Sequence, residues 1–140
     1  MLDKGKKGRD DMIWKIAICD DEQIYNEKIY RLCRDRAVKE SIEVEFSQFQ
    51  SGDAFLESNE IFHMVFLDVE MDGVDGFDVA KELTSRGDST KIIYITSHDE
   101  WVQRAFEVKA YRYIYKSQID TLPDVMMDVI HDISENLGLV

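Results

Sequence analysis

Met64-Val65-Phe66-Leu67-Asp68-Val69-Glu70-Met71-Asp72-Gly73-Val74-Asp75-Gly76 decides the fold of this chain. Its first four residues are apolar without interruption and stop at a carboxylate. A run of that length, with no polar alternation and with turn residues close behind, predicts a strand buried on both faces, the condition of an inner strand in a parallel sheet. Asp72-Gly73 and Asp75-Gly76 then mark a turn-rich loop. Beyond it Phe77, Val79, Ala80 and Leu83 share one helical face, and Gly87 supplies the stop. The unit is strand, acid, loop, helix.

The same order recurs in both directions along the chain. Upstream, Ile16-Ala17-Ile18-Cys19 is a second buried run that ends at Asp20-Asp21, and Tyr25, Ile29, Cys33 and Ala37 then recur at helical spacing among charged neighbours. Ile42, Val44 and Phe46 alternate with Glu43 and Glu45, a period of two that buries one face and suits a sheet edge. Ser51-Gly52-Asp53 offers capping chemistry for a short helix through Ala54, Phe55 and Leu56. Downstream, Ile92-Ile93-Tyr94-Ile95 runs up to Thr96, and Ser97 with Glu100 forms a capping box for a helix that carries Trp101, Val102, Ala105 and Phe106. Tyr111, Tyr113 and Tyr115 alternate with Arg112, Ile114 and Lys116, a second edge pattern, and a last helix starts around Thr121, Pro123 and Asp124 with Leu122, Val125, Met126, Val129 and Ile133 inside. Strands alternating with helices predict parallel pairing through right-handed crossovers. The expected fold is α/β, a flavodoxin-like doubly wound five-stranded parallel sheet in the order 2-1-3-4-5 with helices on both faces, which assigns the edges to the two alternating strands.

At 140 residues and 44% hydrophobic, the chain can bury about two thirds of its unfolded surface in one core and is too short for two ordinary domains. Residues 1–12, with Lys4, Lys6, Lys7 and Arg9 and little that is apolar, are expected to be a flexible tail ahead of a single domain over 13–137. A net charge of −12 repels a phosphate backbone, so direct nucleic-acid binding is not expected. The two cysteines, Cys19 and Cys33, lie inside apolar patterns without metal or redox spacing and read as reduced core residues of an intracellular protein. No apolar run approaches the roughly 18 residues of a spanning helix, and no signal-peptide pattern opens the chain, so a cytoplasmic protein without membrane contact is expected.

Ligands of such a sheet bind beyond the carboxyl ends of the strands. There the sequence gathers Asp20 and Asp21 after strand 1, Asp68 after strand 3, Thr96 after strand 4 and Lys116 after strand 5. Taken singly, each has a plain structural use: the acid pair as helix caps, Asp68 as a turn residue, Lys116 as an edge-strand guard. Together, three carboxylates converging on one rim repel one another unless one is protonated or a cation joins them, and oxygen ligands point to a hard cation such as Mg²⁺.

Ile-Ala-Ile-Cys-Asp-Asp-Glu (16–22), Phe-Leu-Asp-Val-Glu-Met-Asp-Gly (66–73), Asp-Gly-Phe (75–77), Tyr-Ile-Thr-Ser (94–97) and Tyr-Ile-Tyr-Lys (113–116) resemble, in order and spacing, the receiver domains of bacterial two-component response regulators, over nearly all of the chain from about Ile13 to Ile133. Phe49-Gln50-Ser51-Gly52 and the stretches Ser97-His98-Asp99-Glu100 and Ala105-Phe106-Glu107-Val108 are most similar to receivers of the LytTR group of DNA-binding regulators. The resemblance implies that Asp68 is the phosphoacceptor and takes its phosphoryl group from a sensor histidine kinase. It further implies that Asp21, Asp68 and the backbone carbonyl of Glu70 ligate Mg²⁺, with Asp20 acting through a metal-bound water. Lys116 would neutralise the phosphoryl group, Thr96 would hydrogen-bond it, and Tyr113 would swing inward with Thr96 as the switch. Such a protein is not an enzyme in the ordinary sense, although it promotes its own phosphorylation and dephosphorylation. Its reader would be an output domain, of the LytTR DNA-binding kind on this resemblance and absent from this chain, and a homodimer on phosphorylation is a further expectation.

Two positions depart from the family pattern. Ser117 follows Lys116 where proline is usual, and Asp72 stands where proline is common in the loop after the phosphoacceptor, adding negative charge at a site that must accept phosphate. Slower phosphorylation or a greater need for Mg²⁺ is the expected result. Two competing readings differ in class. A haloacid-dehalogenase-type phosphatase also uses an aspartyl phosphate, but its nucleophile follows the first strand. A receiver-like module that signals without phosphorylation would keep the fold and use its surface alone.

Overall fold

β3 (Met64–Asp68) is buried at all five residues and lies in the middle of a sheet ordered β2-β1-β3-β4-β5. These come from a computed structural model that describes residues 11–97 and 111–138. Residues 1–10 of the expected tail and the helix expected after Ser97, with Trp101, Val102, Ala105 and Phe106, lie outside the described residues. In chain order the elements are β1 (Ile13–Cys19), α1 (Gln23–Lys39), β2 (Glu43–Phe49), α2 (Gly52–Glu57), β3, α3 (Gly76–Ser85), β4 (Lys91–Thr96), β5 (Arg112–Tyr115) and α4 (Leu122–Asn136), with a 3₁₀ segment over Lys116–Thr121. Every strand pairing is parallel, so the predicted topology and both edge assignments hold.

Alternation within the inner strands explains their unbroken apolar runs. Trp14, Ile16 and Ile18 of β1, Met64 and Phe66 of β3, and Ile93 and Ile95 of β4 pack on one face with Ile29 and Cys33 of α1 and Val125, Met126, Val129 and Ile130 of α4. Ala17, Cys19, Val65, Leu67 and Tyr94 point the other way, onto Phe55 of α2 and Phe77, Val79, Ala80 and Leu83 of α3. Each strand residue thus meets a helix whichever way it points, and each fully buried aliphatic contributes about 1.5–3 kcal/mol. The edge strand β2 alternates exposed with partly buried residues instead.

Local caps fix where the helices start. Ser51 accepts a hydrogen bond from Ala54 N at 3.0 Å, and Asp75 accepts one from Asp78 N at 2.9 Å, as their residue types at N-cap positions dictate. Thr121 behaves differently: it makes no side-chain cap, because its hydroxyl donates back to Gln118 O at 2.7 Å and closes the 3₁₀ segment instead. At the sheet rim, buried Asn26 of α1 donates from Nδ2 to Asp20 O at 3.0 Å and to Phe49 O at 2.9 Å, tying the ends of β1 and β2 together.

The loop after β3 folds back closely on the strand. Gly76 N donates to Val69 O at 3.0 Å, and a Cβ on Gly76 would stand 2.5 Å from the backbone oxygen of Asp68. Gly76→Ala must therefore push α3 away from the end of β3. We expect a loss of about 3 kcal/mol of stability, the upper range for overpacking, read as a lower urea midpoint at unchanged slope; a loss below 1 kcal/mol would show that the loop yields freely.

Candidate functional site

Three chain segments meet where the strands end. Asp20 follows β1, Asp21 comes next, Asp68 closes β3, and these three carboxylates offer oxygens that all lie within 4.8 Å of one another. Lys116, first residue after β5, reaches into the group. Its Nζ donates to Asp68 Oδ2 at 3.4 Å and to Glu22 Oε2 at 3.0 Å, and it stands 3.5 Å from Asp20 Oδ2. The Tyr25 ring lies below it, with the centroid 4.2 Å from Nζ. Every peptide bond among the described residues is trans, so Lys116 reaches Asp68 with serine, not proline, behind it.

Burial separates the carboxylates. Asp20 and Asp68 are 1% and 2% exposed, whereas Asp21 is open to solvent. Asp20 Oδ1 accepts the N–H of Glu22 at 2.8 Å and so anchors the start of α1, while Oδ2 faces the lysine. Asp21 Oδ2 accepts the N–H of Asp72 at 3.1 Å. A proline at position 72 could not donate that bond, so the departure from the family pattern supplies a support for Asp21 along with a charge.

Loss of hydration on burial pushes the Asp68 carboxyl up to about 8, the neighbouring Asp20 charge adds to it, and Lys116 opposes both. Asp20 is raised as well, by burial first, against the lowering effect of the Glu22 N–H and Lys116. Burial works to lower the Lys116 ammonium, but Asp68, the bond to Glu22 and Asp20 outweigh it and hold the group above its ordinary value. Beneath the acids, burial and then the charges of Asp20, Asp68 and Asp21 push the Cys19 thiol up to about 12. The site is short of positive charge, and each of these shifts favours the protonated form.

A cavity of about 670 Å³ opens beside the acids, lined by Asp21, Glu22, Glu70, Met71, Asp72 and Asp75 among others. A second, of about 480 Å³, lies on the other side of Lys116 between Tyr25, Ser97, Tyr115 and Ser117. Thr96 is fully buried at the end of β4, one residue past the Ile95 that pairs with Asp68. Tyr113 pairs with Tyr94, is partly buried against the α3 side of the sheet, and meets Tyr115 edge to face at 5.5 Å. Asp20, Asp21, Asp68, Thr96 and Lys116 therefore come together at one rim, with Tyr113 on the adjacent edge strand. Sequence reasoning missed Glu22 and Tyr25 as partners of Lys116. Glu22 directly follows the acid pair and was a readable signal; Tyr25 looked like an ordinary apolar position of α1, and Asn26 carried no signal at all.

A sign follows from these electrostatics for the chelated, metal-free protein. Asp68 holds its proton in the folded state up to about pH 8, but in the unfolded chain only up to about pH 4. Between those values the folded state binds more protons, so stability falls as pH rises through that window. Asp68→Asn removes the burden: its stability should exceed the parent's by a margin that widens from pH 4 toward pH 8 and should converge with it near pH 4. Parallel stability curves for the two proteins, measured by urea unfolding from pH 4 to 9, would contradict the assigned electrostatics.

Comparison with known proteins agrees with the geometry. Residues 16–127 match the family described as response regulator receiver domain. Among curated proteins, the chain is 32% identical over 101 residues to the positive alginate biosynthesis regulatory protein of Pseudomonas aeruginosa, covering 72% of this chain and 40% of that protein. It is 27% identical over 104 residues to the sensory transduction protein LytT of Bacillus subtilis, covering 73% of this chain and 42% of that protein. The chain thus spans less than half the length of these relatives. Among solved structures, the BeF3-activated receiver domain of DrrB superposes with a TM-score of 0.69 at 27% identity, over 86% of this chain and 99% of that one. The receiver domain of AraT, a response regulator from Geobacillus stearothermophilus, gives 0.69 at 26% identity, over 91% and 97%. The chain belongs to the response regulator receiver domain family.

Proposed function

We propose that this domain takes a phosphoryl group on Asp68 from the phosphohistidine of a sensor histidine kinase, and that the modification shifts its β5 and α4 surface to control an output. The observation that carries the reading is the setting of Asp68: buried at the end of the central strand, with Lys116 Nζ 3.4 Å from one oxygen and an acid pair close by. An Asp68 oxygen attacks phosphorus, the P–N bond of the donor breaks, and its electron pair stays on the departing imidazole. Phosphoryl transfer asks a protein mainly for positioning and charge neutralisation, and both are what this rim offers.

The donor set fits Mg²⁺. The carboxylates are oxygen donors within 4.8 Å of one another, as a hard divalent cation requires, and buried Asp20 Oδ2 accepts no hydrogen bond among the described residues. Asp21, Asp68 and the Glu70 carbonyl would hold the ion directly and Asp20 through a water. When bound, it supplies neutralisation of the charge on the transferring phosphoryl group. Lys116 moves from the Asp68 carboxylate to a phosphoryl oxygen, Thr96 donates a hydrogen bond from its hydroxyl to another, and Tyr113 on the adjacent strand follows Thr96 inward. These contacts exist only in the modified state, which is what a population shift needs. The same residues let the domain promote its own phosphorylation from small donors and its own dephosphorylation.

The length of the relatives supports an output module joined to this domain in the complete protein, a LytTR DNA-binding domain in the reading favoured here, with transcription as the controlled process and a homodimer as the phosphorylated form. The receiver itself, at a net charge of −12, leaves nucleic acid to that module. Among the described residues no helix is long and apolar enough to cross a membrane, which supports work in the cytoplasm beside the kinase.

Intact mass after incubation with acetyl phosphate and Mg²⁺ tests the proposal. One added phosphoryl group, absent from Asp68→Asn and from chelated parent, is the expected result. No adduct on the parent, together with failure to bind beryllofluoride, would leave a module that signals without phosphorylation.

A further inference from the structure

Of the groups around Lys116 Nζ, the nearest carboxylate is not the acceptor. Glu22 Oε2 lies at 3.0 Å, while Asp68 and Asp20 stand at 3.4 and 3.5 Å. Glu22 occupies the N-cap position of α1 yet makes no side-chain cap, so among the described residues its carboxylate serves the lysine. It also differs from the other two in access to water: its side chain is 57% exposed, against 1% for Asp20 and 2% for Asp68.

We propose that Glu22 is a positioning residue: in the unmodified domain it holds the Lys116 ammonium, and it must give that ammonium up when a phosphoryl group arrives on Asp68. The inference rests on the reading of Asp68 as phosphoacceptor and adds to it a group that sets how readily the modified state forms. A phosphoryl group on Asp68 places new anionic oxygens beside an Nζ already satisfied by a carboxylate at 3.0 Å. Like charges so close repel, and one anion has to leave. Asp20 is sealed in, so departure would strand a buried charge, whereas Glu22 swings into solvent with little loss of hydration. Tyr25 keeps the exchange local: its ring, 4.2 Å from Nζ at the centroid, attracts the ammonium on the α1 side and limits its path to the short arc between Glu22 and Asp68. Glu22 is thus a brake that acts through Lys116.

A double-mutant cycle reads this directly. Beryllofluoride affinity at saturating Mg²⁺, and the phosphorylation rate with acetyl phosphate, are measured for the parent, Glu22→Gln, Lys116→Met and the double variant. Glu22→Gln should bind beryllofluoride about two- to fivefold more tightly than the parent, the range released by an exposed ion pair, and should react faster. Structural damage would move both readouts the other way. In the Lys116→Met background the same substitution should change nothing. An unchanged or weaker affinity in Glu22→Gln would overturn the proposal, and so would an equal gain in both backgrounds, which would assign the effect to net charge near the site. If Lys116→Met binds too weakly to titrate, the Lys116 ¹⁵Nζ resonance of the unmodified protein decides: it must shift in Glu22→Gln, and an unmoved signal overturns the pairing. A parent that neither binds beryllofluoride nor accepts phosphoryl would defeat the phosphoacceptor reading itself, a failure visible before any Glu22 variant is compared.

Discussion

Crowding of negative charge at the end of β3 governs this protein. The topology carries Asp20, Asp21 and Asp68 to one rim with oxygens within 4.8 Å of one another, and among the described residues Lys116 is the ammonium that enters the group. Two of the carboxyls are buried, where unbalanced charge is most costly. The folded chain must hold a proton, a cation or a rearranged lysine there, and each choice is a different chemical state of one site. A domain built to be left unbalanced in this way is sensitive to whatever positive charge, or masked negative charge, reaches it.

Mechanical placement matches that electrostatic tension. Asp68 ends a strand that is buried throughout and flanked by β1 and β4, so its carboxylate rides on backbone held from both sides. Thr96 ends the next strand. Tyr113 and Lys116 belong to or follow β5, an edge strand of four residues whose positions are exposed or only partly buried. Burial therefore falls from Asp68 and Thr96 to the β5 edge. The β5 side also borders open space, a cavity of about 480 Å³ lined by Tyr115 and Lys116.

Much of this was legible in the residues themselves. Unbroken apolar runs at Ile16–Cys19, Met64–Leu67 and Ile92–Ile95 marked the inner strands, and alternation at Val44 and Phe46 and at the tyrosines 111, 113 and 115 marked the edges, because burial on two faces or one leaves different periodicities. The acids at strand ends were legible for the same reason: once the order is fixed, strand ends converge. What periodicity could not reveal is which side chain reaches which. The grip of Glu22 and Tyr25 on Lys116 joins residues more than ninety positions apart, and the support of Asp21 by the Asp72 N–H is a backbone contact that side-chain chemistry does not announce. Asn26 is polar in a helix face that reads as apolar on either side; its role exists only because two strand ends leave carbonyls within its reach.

The sulfur chemistry beneath the acids has a practical meaning. Cys19 and Cys33 are free, fully buried, and both thiols are pushed up to about 12, Cys33 by burial alone and Cys19 by burial together with the acids above it. Since the thiolate is the form that oxidants and alkylating reagents attack, neither sulfur presents a target while the sheet is closed. The pair also makes a native clock for opening: modification of Cys33 times exposure of the α1 face and modification of Cys19 times exposure beneath the acids, so the two halves of the core can be followed separately with no label introduced.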